Sequence, residues 1–293
     1  MAPVIEFENV TKCYGRTRAL DGLALEVRRG ELIGFLGPNG AGKTTALRIL
    51  VGLIRPTAGV ARLLEVDSRT YARDVRERTG YLPGTVALYG GMTAEAFLRY
   101  LGRFHDGFGL HWARELAQRL ELDLAQRIGS ASRGTQQKIA LLAALVHRPE
   151  ILILDEPTTG LDPLSQRTVL DLLRSLNAQG TTVFMSSHTL SQVEYACSRV
   201  AVIKEGRIVA LDTIEHLRAR AERKVTVRFA EPIPPPPDLP GARLLERDGP
   251  RMVLAVAGSP DPLLKWLARH AVEDVAIEKP TLEALFMRFY ESS

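Results

Sequence analysis

The octapeptide Gly37-Pro-Asn-Gly-Ala-Gly-Lys-Thr44 constrains this chain more than any other stretch of its sequence. It stands between a short apolar run, Leu32 to Leu36, and a helically spaced run, Lys43 to Val51, with Gly52 where a C-terminal cap belongs. Strand, glycine loop and helix in that order frame a phosphate site. The glycines let backbone amides turn toward phosphate oxygens, and the helix start adds partial positive charge. Lys43 is expected to reach the β- and γ-phosphates, and Thr44 to hold Mg²⁺. A glycine turn made only for tight packing is the alternative.

A P-loop by itself specifies nucleotide binding, which kinases, GTPases and motors share, so the reaction must be read elsewhere. Ile151-Leu-Ile-Leu-Asp155-Glu156 is an apolar strand ending in two carboxylates. One can organise a metal shell and the next can polarise an attacking water, which makes Asp155 the metal-side residue and Glu156 the general base. A strand-to-turn junction with two solvated acids is the other reading.

Around these motifs the pattern is α/β. Val4 to Val10 alternates apolar and polar residues, and Leu23, Leu25 and Val27 repeat the period, as half-buried antiparallel strands do. From Thr93 to Leu145 the spacing is helical, over Ala94 to His105, Trp112 to Leu122 and Thr135 to Val146, an insertion spanning about 85–146. Helix Leu164 to Leu176, strand Thr181 to Ser186, helix Leu190 to Cys197 and strand Arg199 to Ile203 then alternate, which implies a parallel sheet. We place a domain boundary near Glu222, giving domains 1–221 and 222–293. The second reads strand, a loop containing Pro232, Pro234 to Pro237 and Pro240, a hairpin about Asp248-Gly249, a helix from Pro262 to Val272, and a strand. It closes with an amphipathic helix bearing Leu282, Leu285, Phe286 and Phe289 on one face.

Composition excludes other classes. The net charge of +4 comes from 38 basic and 34 acidic residues interspersed along the chain, a mixed solvated surface rather than a polybasic arm, which does not exclude nucleic acid but does not argue for it. The longest apolar runs, such as Ile139 to Val146, fall far short of the roughly 20 residues of a membrane-spanning helix. The N-terminus lacks the pattern of a secretory signal. The chain is therefore expected to be soluble and cytosolic, with Cys13 and Cys197 as reduced thiols without a role.

Gly37 to Thr45, Ser132-Arg133-Gly134-Thr135-Gln136, Asp155-Glu156-Pro157-Thr158, Leu161-Asp162 and His188 together resemble the nucleotide-binding subunit of an ABC transporter over about Val4 to Leu217. The small C-terminal domain resembles, less specifically, the accessory domain of bacterial export-type members associated with drug or antibiotic efflux. The resemblance implies a P-loop NTPase (RecA-like) core with an N-terminal antiparallel β subdomain, a helical insertion and a small C-terminal α+β domain. It implies an ATPase with ATP and Mg²⁺ as cofactors, on the cytoplasmic face of a membrane, powering a separately encoded permease. Two copies would pair head to tail, each ATP held between the P-loop of one and Ser132 and Gly134 of the other. Nucleotide contacts then fall on Gly37, Pro38, Asn39, Gly40, Ala41, Gly42, Lys43, Thr44 and Thr45. His188 becomes the switch at the γ-phosphate, catalytic with Glu156 and Lys43; Thr44 and Asp155 serve the metal. Asp162 lies in the loop crossing the dimer seam, and Tyr14 stacks on adenine.

Plainer readings stay open for several of these. Ser132 suits an ordinary helix N-cap, Asp162 a turn before Pro163, Tyr14 a half-buried tyrosine, and His188 a structural histidine. Val86, Ala87, Leu88, Tyr89 and Met92 are suited either to gripping a short helix of a membrane partner or to packing within their loop. Arg133 and Thr135 depart from the family's usual signature residues. The family also usually carries Gln where this chain reads Tyr81-Leu82-Pro83-Gly84, so no side chain at that position can bind metal or water, and Thr85 is the nearest neighbour. A soluble ABC-type ATPase acting on nucleic acid or ribosomes is the alternative function, and a nucleotide-gated binding module a third.

Overall fold

The alternation that begins at Val4 runs on past Val10. The first strand, β1 (Ile5–Tyr14), pairs antiparallel with β2 (Thr17–Val27), placing Phe7 opposite Leu25 and Ile5 opposite Val27. The structure, a computed structural model, describes residues 2–70, 73–105, 108–220, 222–231, 239 and 241–278. The proline positions 232, 234–237 and 240 and the amphipathic face of Leu282, Leu285, Phe286 and Phe289 lie outside the described residues. The chain divides into two compact units, one ending at Leu211 and the other beginning at Asp212.

In the first unit, β3 (Leu32–Leu36) is buried along its whole length and feeds α1 (Lys43–Leu50). Gly52 takes the left-handed φ of 72° just beyond that helix, the conformation that ends helices most cheaply in glycine. Two short strands that the local pattern does not announce follow, β4 (Ala58–Leu63) and β5 (Val66–Asp67). Their pairing with β1 and each other completes a sheet of order β2-β1-β4-β5. α2 (Arg73–Glu77) and β6 (Thr79–Leu82) were likewise invisible to periodicity, being too short to display one.

The helical insertion consists of α3 (Ala94–Gly102), α4 (Leu110–Arg119) and α5 (Arg133–Leu145), and the turn-prone Gly129-Ser130 falls in a 3-10 turn, Ile128–Ser130, on the non-helical stretch between α4 and α5. Ala94, Phe97, Ile128 and Ile139 form its core, and Leu88 and Met92 pack against them. Tyr89 stays 60% exposed, so the loop before α3 partly packs inward and partly faces out. After it come β7 (Ile151–Leu154), α6 (Pro163–Ala178), β8 (Thr182–Ser187), α7 (Leu190–Ala196), β9 (Arg199–Lys204) and β10 (Arg207–Thr213). The central sheet runs β10-β9-β3-β8-β7-β6, with the five strands from β9 to β6 parallel. β3, β7 and β8 are buried at every residue, as strands covered on both faces must be. Phe184 links the layers, its ring centroid 5.3 Å from that of Phe35 and 6.4 Å from that of Phe7.

The second unit contains α8 (Ile214–Arg220), β11 (Arg223–Phe229), β12 (Ala242–Asp248), β13 (Arg251–Val256), α9 (Asp261–Leu267) and β14 (Val272–Ile277), with sheet order β12-β13-β11-β14. The hairpin falls at Gly249, as its sequence implies. The helix expected to reach Val272 stops at Leu267. Val272 instead pairs with Phe229 as the first residue of β14, because sheet pairing outweighs a weak helical spacing. Leu263 and Leu267 of α9 pack on Val225, Val227 and Phe229 of β11.

His147, at the end of the insertion, supports a prediction of its own. It is buried, its Nε2–H donates to the Thr79 carbonyl at 3.2 Å, and the His105 ring stacks on it at 4.1 Å. Burial first, then the neighbouring imidazole, pushes its pKa from an ordinary 6.5 down to about 4. The unfolded chain therefore takes up this proton first as pH falls. Stability should drop between pH 6.5 and 4 by up to about 3 kcal/mol on this account. Urea unfolding of wild type and His147→Gln at pH 7.5 and 4.5 checks it; equal acid losses in the two proteins would refute the assignment.

Candidate active site

Four parallel strands end side by side. The register sets Leu36 against Ser187, Met185 against Leu154, and Leu154 against Leu82, so the chain leaves β3, β8, β7 and β6 along one edge of the sheet. This is where open α/β sheets form their binding crevice. The exits are tied together: the Gly37 amide donates to the Ser187 carbonyl at 3.2 Å, and the Asp155 amide to the Leu82 carbonyl at 2.9 Å.

The glycine loop wraps from β3 into α1. Gly42 has a φ of 105°, and a Cβ there would stand 2.5 Å from the Ala19 carbonyl oxygen, so both backbone and space require glycine. Lys43, only 6% exposed, donates from Nζ to the carbonyls of Gly37 at 2.6 Å and Pro38 at 3.1 Å. Its ammonium also lies 3.4 Å from Glu156 Oε1.

At the end of β7, Asp155 is fully buried. Its Oδ1 accepts from the Ser186 hydroxyl at 2.7 Å, while Oδ2 is buried without a hydrogen-bond partner. Glu156 takes a left-handed φ of 53°, a conformation that costs a residue with a Cβ about 1–3 kcal/mol. Three bonds hold its backbone there: its amide donates to Ser186 Oγ at 2.9 Å, and its carbonyl accepts from the Thr159 amide at 3.1 Å and from Gln137 Nε2 of α5 at 3.4 Å. The result aims both carboxylates into one space. His188 Nδ1 lies 2.6 Å from Glu156 Oε2. Because a carboxylate only accepts, Nδ1 carries the proton in this contact.

These side chains surround a cavity of about 400 Å³, lined by Pro38, Asn39, Gly40, Gly42, Lys43, Thr44, Thr45, Gly84, Asp155, Glu156 and His188. That volume lies within the range of small-molecule sites. Gly37 and Ala41 do not line it; Ala41 belongs to the buried core behind. Ala19, Arg48, Thr85 and Thr159 complete the lining and were not singled out as site residues, Thr85 having been noted only as a neighbour of Gly84. Arg48 had a signal, standing one helical turn beyond Thr44 on the same face of α1. Ser186 is the larger omission, because nothing local says that its hydroxyl joins Asp155 to the Glu156 amide.

Beyond Gly37 and Ala41, four more expected site residues stand apart from this cavity. Ser132 caps α5, its Oγ accepting from the Thr135 amide at 3.1 Å. Gly134 packs so closely on the next loop that a Cβ would stand 3.1 Å from the Gly160 carbonyl oxygen. Asp162 caps α6, accepting from the amides of Leu164 at 3.1 Å and Ser165 at 3.0 Å. Hydrogen bonds from the Ser165 side chain first, then its amide, hold the Asp162 carboxyl below the usual carboxylate range. Tyr14 is 49% exposed, with the Lys12 ammonium 5.1 Å from its ring centroid. Cys13 and Cys197 are free thiols, and burial pushes the Cys197 pKa up.

Comparison with known proteins agrees with this geometry. The ABC transporter family matches residues 20–159. The Nod factor export ATP-binding protein I of Paraburkholderia xenovorans (strain LB400) is 41% identical over 214 residues, covering 70% of this chain and 69% of that protein. The bacitracin transport ATP-binding protein BcrA of Bacillus licheniformis is 32% identical over 237 residues, covering 79% and 76%. Among solved structures, the ATP-binding subunit of an ABC transporter superposes with a TM-score of 0.67 at 27% identity, covering 73% of this chain and 92% of that one. A dimeric ATP-binding cassette in a post-hydrolysis state, bound to ADP and Pi, gives 0.66 at 26% identity, covering 72% and 98%. The crevice that gathers Lys43, Asp155, Glu156 and His188, and the extent of these matches, lead to one conclusion: the chain belongs to the ABC transporter family as an ATP-binding, ATP-hydrolysing subunit that powers a separate membrane permease.

Proposed function

We propose that two copies of this chain pair head to tail on the cytoplasmic face of a membrane and hydrolyse ATP at their shared seam, driving export of a drug, antibiotic or lipid-like compound through the permease. One observation carries the pairing. The cavity collects Lys43, Thr44, Asp155, Glu156 and His188 from one chain, yet the Ser132–Gly134 turn lies outside it, beside Gly160. The Thr135 amide is taken by the Ser132 cap, while those of Arg133 and Gly134 sit ahead of it at the positive end of the helix dipole, which suits a γ-phosphate presented by a partner. Asp162 holds the start of α6 next to that turn, and Tyr14 would stack on the adenine.

Within each site Gly37 to Thr45 wraps the phosphates and Lys43 turns from the loop carbonyls to them. Glu156 takes up the proton of the attacking water, and His188 fixes the carboxylate through its contact with Oε2. Asp155 and Thr44 serve Mg²⁺. The unpartnered buried Oδ2 of Asp155 fits a cation. Mg²⁺ takes few protein oxygens beside phosphates and waters, so two protein ligands would suffice. When bound, it neutralises charge on the triphosphate.

Among the described residues no helix is long and apolar enough to cross a membrane, which supports a peripheral subunit. Export as the direction rests on the relatives' names, Nod factor export and bacitracin transport. Those transport names do not favour the nucleic-acid alternative.

Mixing variants tests the seam. Lys43→Ala and Ser132→Arg should each be inactive alone, yet a mixture should recover about a quarter of wild-type ATPase activity, because half the dimers carry one complete site. No recovery on mixing, or full activity of wild type as a strict monomer, would overturn the pairing.

A further inference from the structure

Asp155 Oδ2 faces Gly84. A Cβ on Gly84 would stand 2.8 Å from Oδ2 and 3.1 Å from Cγ. The carboxylate cannot swing aside cheaply, since its Oδ1 accepts from Ser186, whose Oγ also receives the Glu156 amide. Gly84 does not adopt a left-handed φ, so glycine is needed here for room and not for backbone conformation. Position 84 therefore carries no side chain because Asp155 occupies the space. A buried carboxylate oxygen without a donor costs about 1–3 kcal/mol or more, so Oδ2 must be satisfied from the cavity side. The residue after Gly84 in that loop, the exposed Thr85, lines the same cavity and carries a hydroxyl.

We propose that Thr85 is a positioning residue of the nucleotide site. Its hydroxyl, together with Asp155 Oδ2, completes the hydrogen-bonding shell around nucleotide-bound Mg²⁺, and Gly84 is the spacer that lets both groups face one cavity. This rests on the reading of the site as one that takes ATP with Mg²⁺. A threonine hydroxyl both donates and accepts, so it can bridge a water to the carboxylate and to a phosphate oxygen.

Calorimetric titration of the full-length protein with a non-hydrolysable ATP analogue, once with Mg²⁺ and once with EDTA, separates the effects. Wild type should bind more tightly with Mg²⁺. Thr85→Ala should lose about tenfold of that Mg²⁺-dependent gain while its affinity in EDTA stays unchanged, and Thr85→Ser should keep the gain. Gly84→Ala should lose it as well, because its methyl displaces Asp155. An undiminished Mg²⁺ gain in Thr85→Ala overturns the proposal, as does an equal loss with and without the metal. A wild type whose affinity ignores Mg²⁺ would instead remove the metal from the site altogether, and this inference with it.

Discussion

Glu156→Gln should bind ATP as the wild type does and hydrolyse it about 10²–10⁴ times more slowly, the contribution general-base catalysis makes. The amide keeps the shape of the side chain, so the left-handed turn at Glu156 and its bond to Ser186 Oγ persist. What disappears is the basic carboxylate whose Oε1 lies 3.4 Å from Lys43 Nζ and whose Oε2 lies 2.6 Å from His188 Nδ1. Phosphate release from ATP, measured beside equilibrium nucleotide binding, separates the two properties. Hydrolysis at the wild-type rate would remove Glu156 from its role, whereas lost binding together with lost hydrolysis would make it a structural residue.

Lys43→Ala should lose nucleotide affinity by about 2–5 kcal/mol, the cost of deleting one partner from a desolvated charge contact. The ammonium is nearly buried between the Gly37 and Pro38 carbonyls and the Glu156 carboxylate. Truncation leaves three acceptors without their cation and the triphosphate without its counter-charge. Calorimetric titration with ATP reads the loss directly; unchanged affinity would count against the whole site. Thermal unfolding of the same variant guards against an artefact, since α1 is anchored by Ala46, Leu47, Ile49 and Leu50 and should survive the change.

These two residues were legible because their chemistry is local. Gly37 to Thr44 states a turn geometry and a helix start within one short stretch, and Ile151 to Glu156 states a buried strand and its exit. His188 was legible only through its company, since one histidine after an apolar strand means little by itself. Ser132 and Asp162 show the opposite limit. Both lie at helix starts and both act there as N-caps, a role their residue types announce as strongly as any other. Their placement at a seam between two copies remains a proposal that the mixing experiment addresses.

Several elements had no local signal. β4 and β6 owe their existence to partners: Ala61 and Leu63 of β4 pair with Phe7 and Ile5, and Tyr81 of β6 pairs with Ile153. Short strands have too few residues to display a period, and their stability comes from ladders closed with distant segments. The reverse held for α9, where helical spacing continued past Leu267 but Val272 gained more from pairing with Phe229.

By itself, then, the amino-acid sequence determined the chemistry available to this protein: a phosphate cradle, two acids at a strand end, a histidine at another, and the α/β order that carries them. Those are properties of neighbouring residues, set by backbone freedom at glycine and by side-chain type. Only the tertiary structure decided which groups meet. Parallel register brings the ends of β3, β8, β7 and β6 into line, Ser186 joins Asp155 to the Glu156 amide, and Gly84 closes against Asp155 Oδ2. Such contacts join residues far apart in the chain, and their energies depend on burial and distance that no local pattern encodes.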